Sequence, residues 1–400
     1  MASVVIVGAG PAGALLSYLL ARRGVGVTLL ERQTDFAREF RGEVLMPSGT
    51  EAIAQAGLLE KLDALAHGAA NKIGIFRGDR EVMTVTIDNP ANGPRVTPQA
   101  PMLEMIVGEA SRFPNFRLER GTTVRELMRE NGRVVGVKAD THAGSHEFRA
   151  DFVIGTDGRA SIVRRQAGFA PDRVQQAFDV VWARVPGTFL DGRTARGYIG
   201  RGHLFIMYPS PEGHLQIGWV IKKGAFGDLR RIGAEGWLGE MAPHLSRDVV
   251  DFLEAGRASL KHPVLLDVVC DRVREWSAPG VMVIGDAAHT MSPVGAQGIN
   301  IALRDTIVAA NHLGAALASG AGPAELDEAA RRVQAERIAE VAAIQDMQQF
   351  GPRILFANSI LSPIMTSAPV IWFARTFLQR TLAHRVQPFI RGASKVRLEA

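Results

Sequence analysis

The opening residues leave the chain little freedom. Ser3 to Val7 (SVVIV) is a short apolar, β-branched run that reads as a buried parallel strand. It runs straight into Gly8-Ala9-Gly10-Pro11-Ala12-Gly13. Ala14 to Arg23 then reads as a helix, and Val25 to Leu30 as a second strand closed by Glu31. Strand, glycine turn, helix and strand in that order make a dinucleotide-binding βαβ unit. Gly8 permits the tight turn, Gly10 lets the backbone approach a pyrophosphate, and Gly13 lets helix and strand pack closely. The helix N-terminus offers free N–H groups and a partial positive charge to phosphates. Glu31 follows Gly13 by 18 residues, where a carboxylate can accept from the ribose hydroxyls of an adenosine. The competing reading is a glycine-rich turn of purely structural use. Arg41 lies a little further on, either clamping a pyrophosphate bidentately or solvated at the surface.

Composition narrows the rest. At ~150 residues per domain, 400 residues suggest two or three domains. The lone cysteine, Cys270, excludes an internal disulfide framework and any cysteine-based metal site, and no metal is expected. Forty-six basic residues against 41 acidic ones are scattered rather than blocked, so no nucleic-acid partner is expected. No export signal, apolar run of membrane-spanning length or internal repeat is visible, so the expected location is the cytoplasm.

Two later segments repeat the pattern of a strand ending in an acid. In Ala150 to Arg164 (ADFVIGTDGRASIVR), the strand Phe152 to Ile154 leads into Thr156-Asp157-Gly158, with a helix starting near Ala160. In Pro279 to Arg304 (PGVMVIGDAAHTMSPVGAQGINIALR), the strand Val281 to Ile284 ends in Gly285-Asp286. The loop Pro293 to Gly298 follows, and then a long helix. Carboxylates at strand ends can accept from ribityl hydroxyls, and glycine turns feeding helix N-termini supply N–H donors to a flavin carbonyl. Asp157 and Asp286 can equally cap helices.

These three segments, in this order and spacing over roughly residues 1–320, resemble the p-hydroxybenzoate hydroxylase-like FAD-dependent monooxygenases, the single-component aromatic hydroxylases. They also resemble the ubiquinone-biosynthesis hydroxylase branch. The resemblance implies an α/β fold: an FAD-binding Rossmann-like domain with an inserted antiparallel β-sheet substrate domain and a C-terminal helical region. It implies FAD as cofactor and NADH or NADPH as transient reductant. It places Gly8, Gly10, Ala12 and Gly13 at the FAD pyrophosphate with Arg41, and Glu31, with Arg32 beside it, at the adenosine end. Gln99, just before a helix starting near Met102, lies by the ribityl chain, and Val124 is on the strand lining the adenine. Asp157 and Asp286 hold the motif backbone or the ribityl oxygens. Gly298, Ile299 and Asn300 face the pyrimidine end of the flavin, and the carbonyl of Pro293 lies near the oxygen-reacting face. Asn300 is otherwise a structural residue at the helix start, and His289 packs within the motif.

The middle of the chain supplies the inserted sheet. Phe178 to Arg184, Ala195 to Ile199, His203 to Tyr208 and His214 to Ile221 read as short strands, joined by Asn71 to Arg77 and Glu81 to Ile87. The expected division is 1–70, 98–177 and 270–325 for the FAD-binding domain, 71–97 and 178–269 for the substrate sheet, and 326–400 for the helical tail. Tyr208 is the candidate to orient or deprotonate a phenol, with core packing as the alternative for it and for Tyr18, Tyr198, Arg196, His203, Gln216 and Trp219. His262, before Pro263, reads as turn structure. In the tail, Ile371, Ala374, Leu378 and Leu382 make a helical stripe with arginines elsewhere. Such a helix either docks onto the body or touches a membrane surface peripherally.

The reaction implied is hydroxylation of an aromatic or polyketide- or quinone-like small molecule with NAD(P)H and O2, through a flavin C4a-hydroperoxide. Two alternatives stand beside it. One is an FAD-dependent reductase of isoprenoid double bonds, suggested by His214 to Lys223 (HLQIGWVIKK). The other is a non-catalytic flavin-binding protein.

Overall fold

The structure is a computed structural model that describes residues 2–37, 43–69, 72–86, 93–200, 203–261, 263–356 and 387–399. Arg41, His262 and the stripe from Ile371 to Leu382 lie outside the described residues.

The apolar opening strand forms as expected and sits inside a six-stranded sheet. The sheet order is Ser277–Ala278, Val281–Val283, Phe152–Gly155, Ser3–Val7, Gly26–Glu31 and Phe116–Arg120. All neighbours are parallel except the hairpin pair Ser277–Ala278 and Val281–Val283. Strands covered on both faces need no polar alternation, and Val4 to Val7 are buried without a break. The helix Pro11–Arg22 packs on this sheet with Gln99–Ala110 and Gln297–Ala309 around it. Pro11 opens that helix, where its missing N–H is harmless and its φ is already helical. Its residues Ala12 to Ala21 are all buried, which is why the helix is apolar on every face.

The second sheet has seven strands, in the order Val264–Leu266, Phe178–Pro186, His214–Lys222, His203–Pro209, Thr194–Gly200, Lys72–Arg77 and Arg80–Thr86. Its pairings are antiparallel except Thr194–Gly200 with Lys72–Arg77, which is parallel. A parallel pair needs a crossover connection, and here the chain between those two strands passes through the first sheet. The outer face carries Val181, Phe205, Met207, Ile217 and Trp219, covered by Phe226–Met241 and Arg247–Ala255. Neither helix is evident in the sequence reading. Val124 lies on a strand, as the resemblance implies, within a three-stranded sheet of Thr123–Glu130, Arg133–Thr141 and Gly144–Arg149.

The tail helix runs Pro323–Phe356, starting three residues ahead of the expected boundary at 326. It buries four charges. Arg304 forks onto Glu340 (2.9 and 3.1 Å to its Nη2), and Arg337 Nε donates to Asp305 at 2.8 Å. Arg337 also pairs with Glu340. The C-terminal segment closes the cluster, with the Ala393 and Ser394 N–H groups donating to Glu340 at 2.7 and 3.2 Å. Val396 is buried in the same core, so this part of the tail docks on the body. No helix among the described residues is long and apolar enough to cross a membrane.

Burial by itself would raise the Asp305 and Glu340 carboxyls. His289 and Arg337 hold Asp305 below the usual carboxylate range, and Arg337 and Arg304 do the same for Glu340. A carboxyl lowered in the folded state stabilises above its unfolded pKa of about 4 and loses that contribution as pH falls through the folded value. Stability is therefore expected to hold from neutral pH to about 4 and to fall below it. Glu340→Ala leaves the buried Arg304 guanidinium without its carboxylate partner and Arg337 with Asp305 alone. It is expected to cost about 3–5 kcal/mol in urea unfolding at neutral pH and to give a shallower acid limb.

Candidate functional site

The strand ends converge because the register aligns them. Val7 lies opposite Gly155 on one side and Leu30 on the other, and Gly155 lies opposite Val283. Asp286, Asp157, Gly8 and Glu31 therefore emerge in one row at the carboxyl edge of adjacent parallel strands. In open α/β sheets that edge is where ligands bind.

The turn after the first strand is fixed by backbone contacts. Gly8 has φ +98°, and its N–H donates to the Leu30 carbonyl at 2.7 Å. A Cβ on Gly13 would stand 1.9 Å from the Gly8 carbonyl oxygen, so only glycine fits. A Cβ on Gly10 would meet nothing within 4 Å. Gly10 is the helix N-cap, and no side chain caps that end. An uncapped helix start with open space over its glycine is the cradle a pyrophosphate needs. Glu31 is buried and its carboxylate accepts from the Ala9 N–H at 2.8 Å and the Gln33 N–H at 3.1 Å. It braces the glycine turn at the place where an adenosine ribose would lie. These residues fit a bound FAD.

The remaining candidates divide. Ala12 is buried in the first helix, Arg32 is exposed, and Val124 is buried on its strand. Gln99 is half-buried and is itself the first residue of the helix Gln99–Ala110, three residues ahead of the expected start. Asp157 accepts from the Ser161 hydroxyl and from the N–H groups of Ile162 (2.7 Å) and Val163 (3.3 Å), so it caps the helix Ile162–Gln166. Burial pushes its carboxyl up, against those hydrogen bonds. Asp286 stands across from Gly298, whose Cβ would lie 3.8 Å from its Oδ1. The helix Gln297–Ala309 follows two left-handed residues, Gly295 (φ +73°) and Ala296 (φ +53°), and has no side-chain cap. Among the described residues no side chain caps the first turn at Gly298 and Ile299. Asn300 is different: its Oδ1 accepts from the Met46 N–H at 2.8 Å and its Nδ2 donates to the Ala296 carbonyl at 2.6 Å. Its side chain serves the backbone, and Gly49 is small because a Cβ there would lie 2.1 Å from Asn300 Oδ1.

The loop carrying Pro293 is gripped from three sides. Gln348 Nε2 donates to the Ser292 and Val294 carbonyls, both at 2.7 Å. Gln297 donates to the Phe389 carbonyl at 2.8 Å, and the Phe389 ring fills the space a Cβ on Gly295 would need. His289 donates to or accepts from Asp305 at 2.8 Å, and the Gly285 N–H donates to the same Oδ2 at 3.0 Å. Gln348 and Phe389 were absent from the sequence reading. Their role depends on contacts across more than 50 residues, which no local motif signals.

Opposite this edge stands the inner face of the seven-stranded sheet. Cross-strand pairing sorts it into three rows. Arg184, Gln216 and Tyr208 form one, Trp182, Gly218 and Ile206 the next, and Val180, Val220 and Leu204 the last. Val294, beside Pro293, packs among the last row. The Trp182 ring covers Gly218, where a Cβ would come within 2.8 Å of it. Ile206 is 41% exposed, so the middle row is an open apolar surface. At the polar end, Glu43 accepts from Arg184 Nη2 at 3.0 Å and Gln216 Nε2 at 3.3 Å. Tyr208 is buried edge-on to Trp182 at 6.3 Å. Burial pushes its hydroxyl up and the Glu43 charge adds to that, so Tyr208 stays a donor.

The other middle-chain candidates face away. Tyr198 bonds Ser246 (2.7 Å) and Arg196 on the outer face, and Trp219 donates to His203 there. Tyr18 packs on Phe113. A cavity of about 380 Å³ at the sheet's edge, lined by Lys72, Phe76, Phe189 and Arg196 among others, holds none of the strand-end residues. Among the described residues no cluster could hold a metal ion.

Comparison with known proteins agrees with this geometry. Residues 1–343 match a family model described as an FAD binding domain. A 6-methylpretetramide 4-monooxygenase from Streptomyces rimosus is 31% identical over 398 residues, covering 96% of this chain and 91% of the relative. The rifampicin monooxygenase of Streptomyces venezuelae is 28% identical over 323 residues, 76% of this chain and 62% of its own length. Pseudomonas aeruginosa PqsL, solved with 2-aminobenzoylacetate, superposes with a TM-score of 0.79 at 20% identity, covering 92% of this chain and 100% of PqsL. That likeness speaks for the fold.

Two glycine substitutions should separate cradle from scaffold. Gly10→Ala is expected to keep the melting temperature of flavin-free protein while lowering retained flavin, read from visible absorbance. Gly13→Ala is expected to lower both. Equal behaviour of the pair would refute this assignment.

Proposed function

Because the chain belongs to the family of flavoenzymes built on this FAD binding domain, we propose that it hydroxylates a flat, polycyclic, polyketide-like phenol or quinone with NAD(P)H and O2. The observation that carries the substrate class is the inner face of the sheet, an aromatic and aliphatic floor with one polar border, set against the loop at Pro293. The similarity to a monooxygenase named for a polyketide supports the same reading. It also favours oxygenation over the reduction of isoprenoid double bonds.

Bound FAD supplies the electrons taken from NAD(P)H and the activation of O2. The chain's own residues bind, orient and exclude water. Gly8, Gly10 and Gly13 with the helix N-terminus would hold the pyrophosphate, Glu31 the adenosine ribose, and Asp286 the ribityl side. The N–H groups of Gly298 and Ile299 would hold the pyrimidine carbonyl at the other helix start. Pro293 and Val294 would close the reacting face, with Val180, Val220 and Leu204 keeping bulk water from it. Trp182 would stack under a planar substrate. Tyr208 would donate to a substrate oxygen and orient the ring, since its hydroxyl stays protonated.

Purified holoprotein is expected to oxidise NADH or NADPH faster when a polycyclic phenol is added. The product should be one oxygen atom heavier and labelled from isotopic O2. Turnover of an isoprenoid without oxygen would refute the proposal. Trp182→Ala is expected to raise KM about tenfold, the loss of roughly 1.4 kcal/mol of stacking, with flavin content unchanged.

A further inference from the structure

Five consecutive carbonyls run through the loop at Pro293, and each takes a donor from the chain. Gln348 Nε2 donates to those of Ser292 and Val294, both at 2.7 Å. The Ala296 N–H donates to Pro293 at 3.0 Å, so the carbonyl expected at the reacting face is already engaged within the loop. Gln297 Nε2 donates to Gly295 at 2.7 Å, and Asn300 Nδ2 to Ala296 at 2.6 Å. Gln297 and Asn300 belong to the helix that the loop itself enters. Of these three amides only Gln348 reaches in from another element, the tail helix, more than 50 residues along the chain.

Gln348 is fully buried and uses both ends of its amide. While Nε2 takes the two carbonyls, Oε1 accepts from the Ser292 N–H at 3.1 Å. Proline has no N–H of its own to bond, so the bonds on either side of Pro293 set its backbone direction. The conformation they hold is a strained one. Ala296 sits at φ +53°, in the left-handed region that residues with a Cβ avoid. Such backbone persists only where its surroundings over-determine it. Val294 meanwhile packs against the cluster of Phe178, Val180, Val220 and Val268. One amide therefore also fixes where the loop meets the inner face of the sheet.

We propose that Gln348 is a positioning residue for oxygenation: it holds Pro293 and Val294 over the reacting face, so that oxygen reaches the substrate and does not leave as hydrogen peroxide. This rests on the reading of that loop as the cover of the flavin. Two outcomes compete for the same electrons. With the cover in place, NAD(P)H, a proton and O2 convert a substrate C–H bond to C–OH and give NAD(P)+ and water. With the cover loose and water admitted, the same three reactants give NAD(P)+ and H2O2, and the substrate C–H bond stays intact. Gln348 transfers nothing itself and acts through the backbone it grips.

Gln345, one turn earlier on the same helix, is a matched control. It is almost fully buried, and its Nε2 donates to the Asp271 and Thr290 carbonyls at 2.9 and 3.2 Å, both ahead of the loop. A merely structural use of the tail helix predicts that the two glutamines behave alike.

The probe is sulfite, a small nucleophile that bleaches the visible absorbance of an oxidised flavin it can reach. Gln348→Met keeps a side chain of similar length and loses all three bonds, and Gln345→Met is its counterpart at the control position. Both should lower the melting temperature of the flavin-free protein. On the holoenzymes, Gln348→Met should bleach several-fold faster than the wild type, and Gln345→Met at the wild-type rate. Gln348→Asn, which draws the amide back by one methylene, should fall between. With a polycyclic phenol that the wild type hydroxylates, Gln348→Met should release several-fold more H2O2 for each NAD(P)H consumed. Equal bleaching of Gln348→Met and the wild type, or of the two Met variants, overturns the role of Gln348. A wild type that hydroxylates no such phenol overturns the substrate reading instead, and the bleaching rates still decide on Gln348. If Gln348→Met does not retain flavin, Gln348→Asn against Gln345→Met decides.

Discussion

The cofactor-side architecture hangs on a buried set of two arginines and two carboxylates. Arg304 and Asp305 are consecutive on the helix that follows the loop at Pro293, while Arg337 and Glu340 face them from the tail helix. Through Asp305 the cluster fixes Gly285 and His289, hence the turn that presents Asp286. Through Glu340 it fixes residues 393 and 394, hence the segment whose Phe389 leans on Gly295. Four charges removed from water are expensive, and an apolar core of the same volume is often as stable. What the charges add here is direction: each carboxylate accepts from several donors on different segments. A hydrophobic replacement could fill the space without setting the turn angles.

The two halves of the site obey different physics. The strand-end half is glycine backbone pressed against fixed neighbours. Gly13 against Gly8, Gly49 against Asn300 and Gly295 against Phe389 leave no room for a Cβ. Such contacts do not depend on which substrate is used. The sheet half is side chain against side chain, and its rows can change without moving a strand. That separation explains how one frame can keep its cofactor while the chemistry of the inner face varies.

The same difference decides what was legible in the sequence. The strand Ser3–Val7, the glycine turn and the acids at 157 and 286 could be read because parallel strands are apolar throughout and their ends are marked by glycine. The roles were less legible than the places. Asp157 and Asn300 turned out to spend their side chains on the backbone, a choice that depends on partners distant in sequence. The period of two in Trp182, Arg184 and in Gln216, Gly218 shows that each pair shares a face, but not which face meets the strand-end row. Tyr198 and Tyr208 looked equivalent for that reason and lie on opposite faces. The helix Phe226–Met241 was hidden by Gly233, which sits at φ +68° and breaks its pattern.

The three rows of the inner face also impose an order on whatever binds there. From Val180, Val220 and Leu204, through Trp182 and Ile206, to Arg184, Gln216 and Tyr208, polarity rises in one direction only. A planar molecule with oxygens along one edge has a single low-energy orientation on such a surface: reversed, it would bury its oxygens against valine and leave the row at Gln216 unanswered. Val294 ties the apolar end to the loop at Pro293, while Glu43 ties the polar end to the body. The inner face is thus referred to the nucleotide-binding body at both ends. The sheet need not be rigid by itself, because each end of the face is registered against that body.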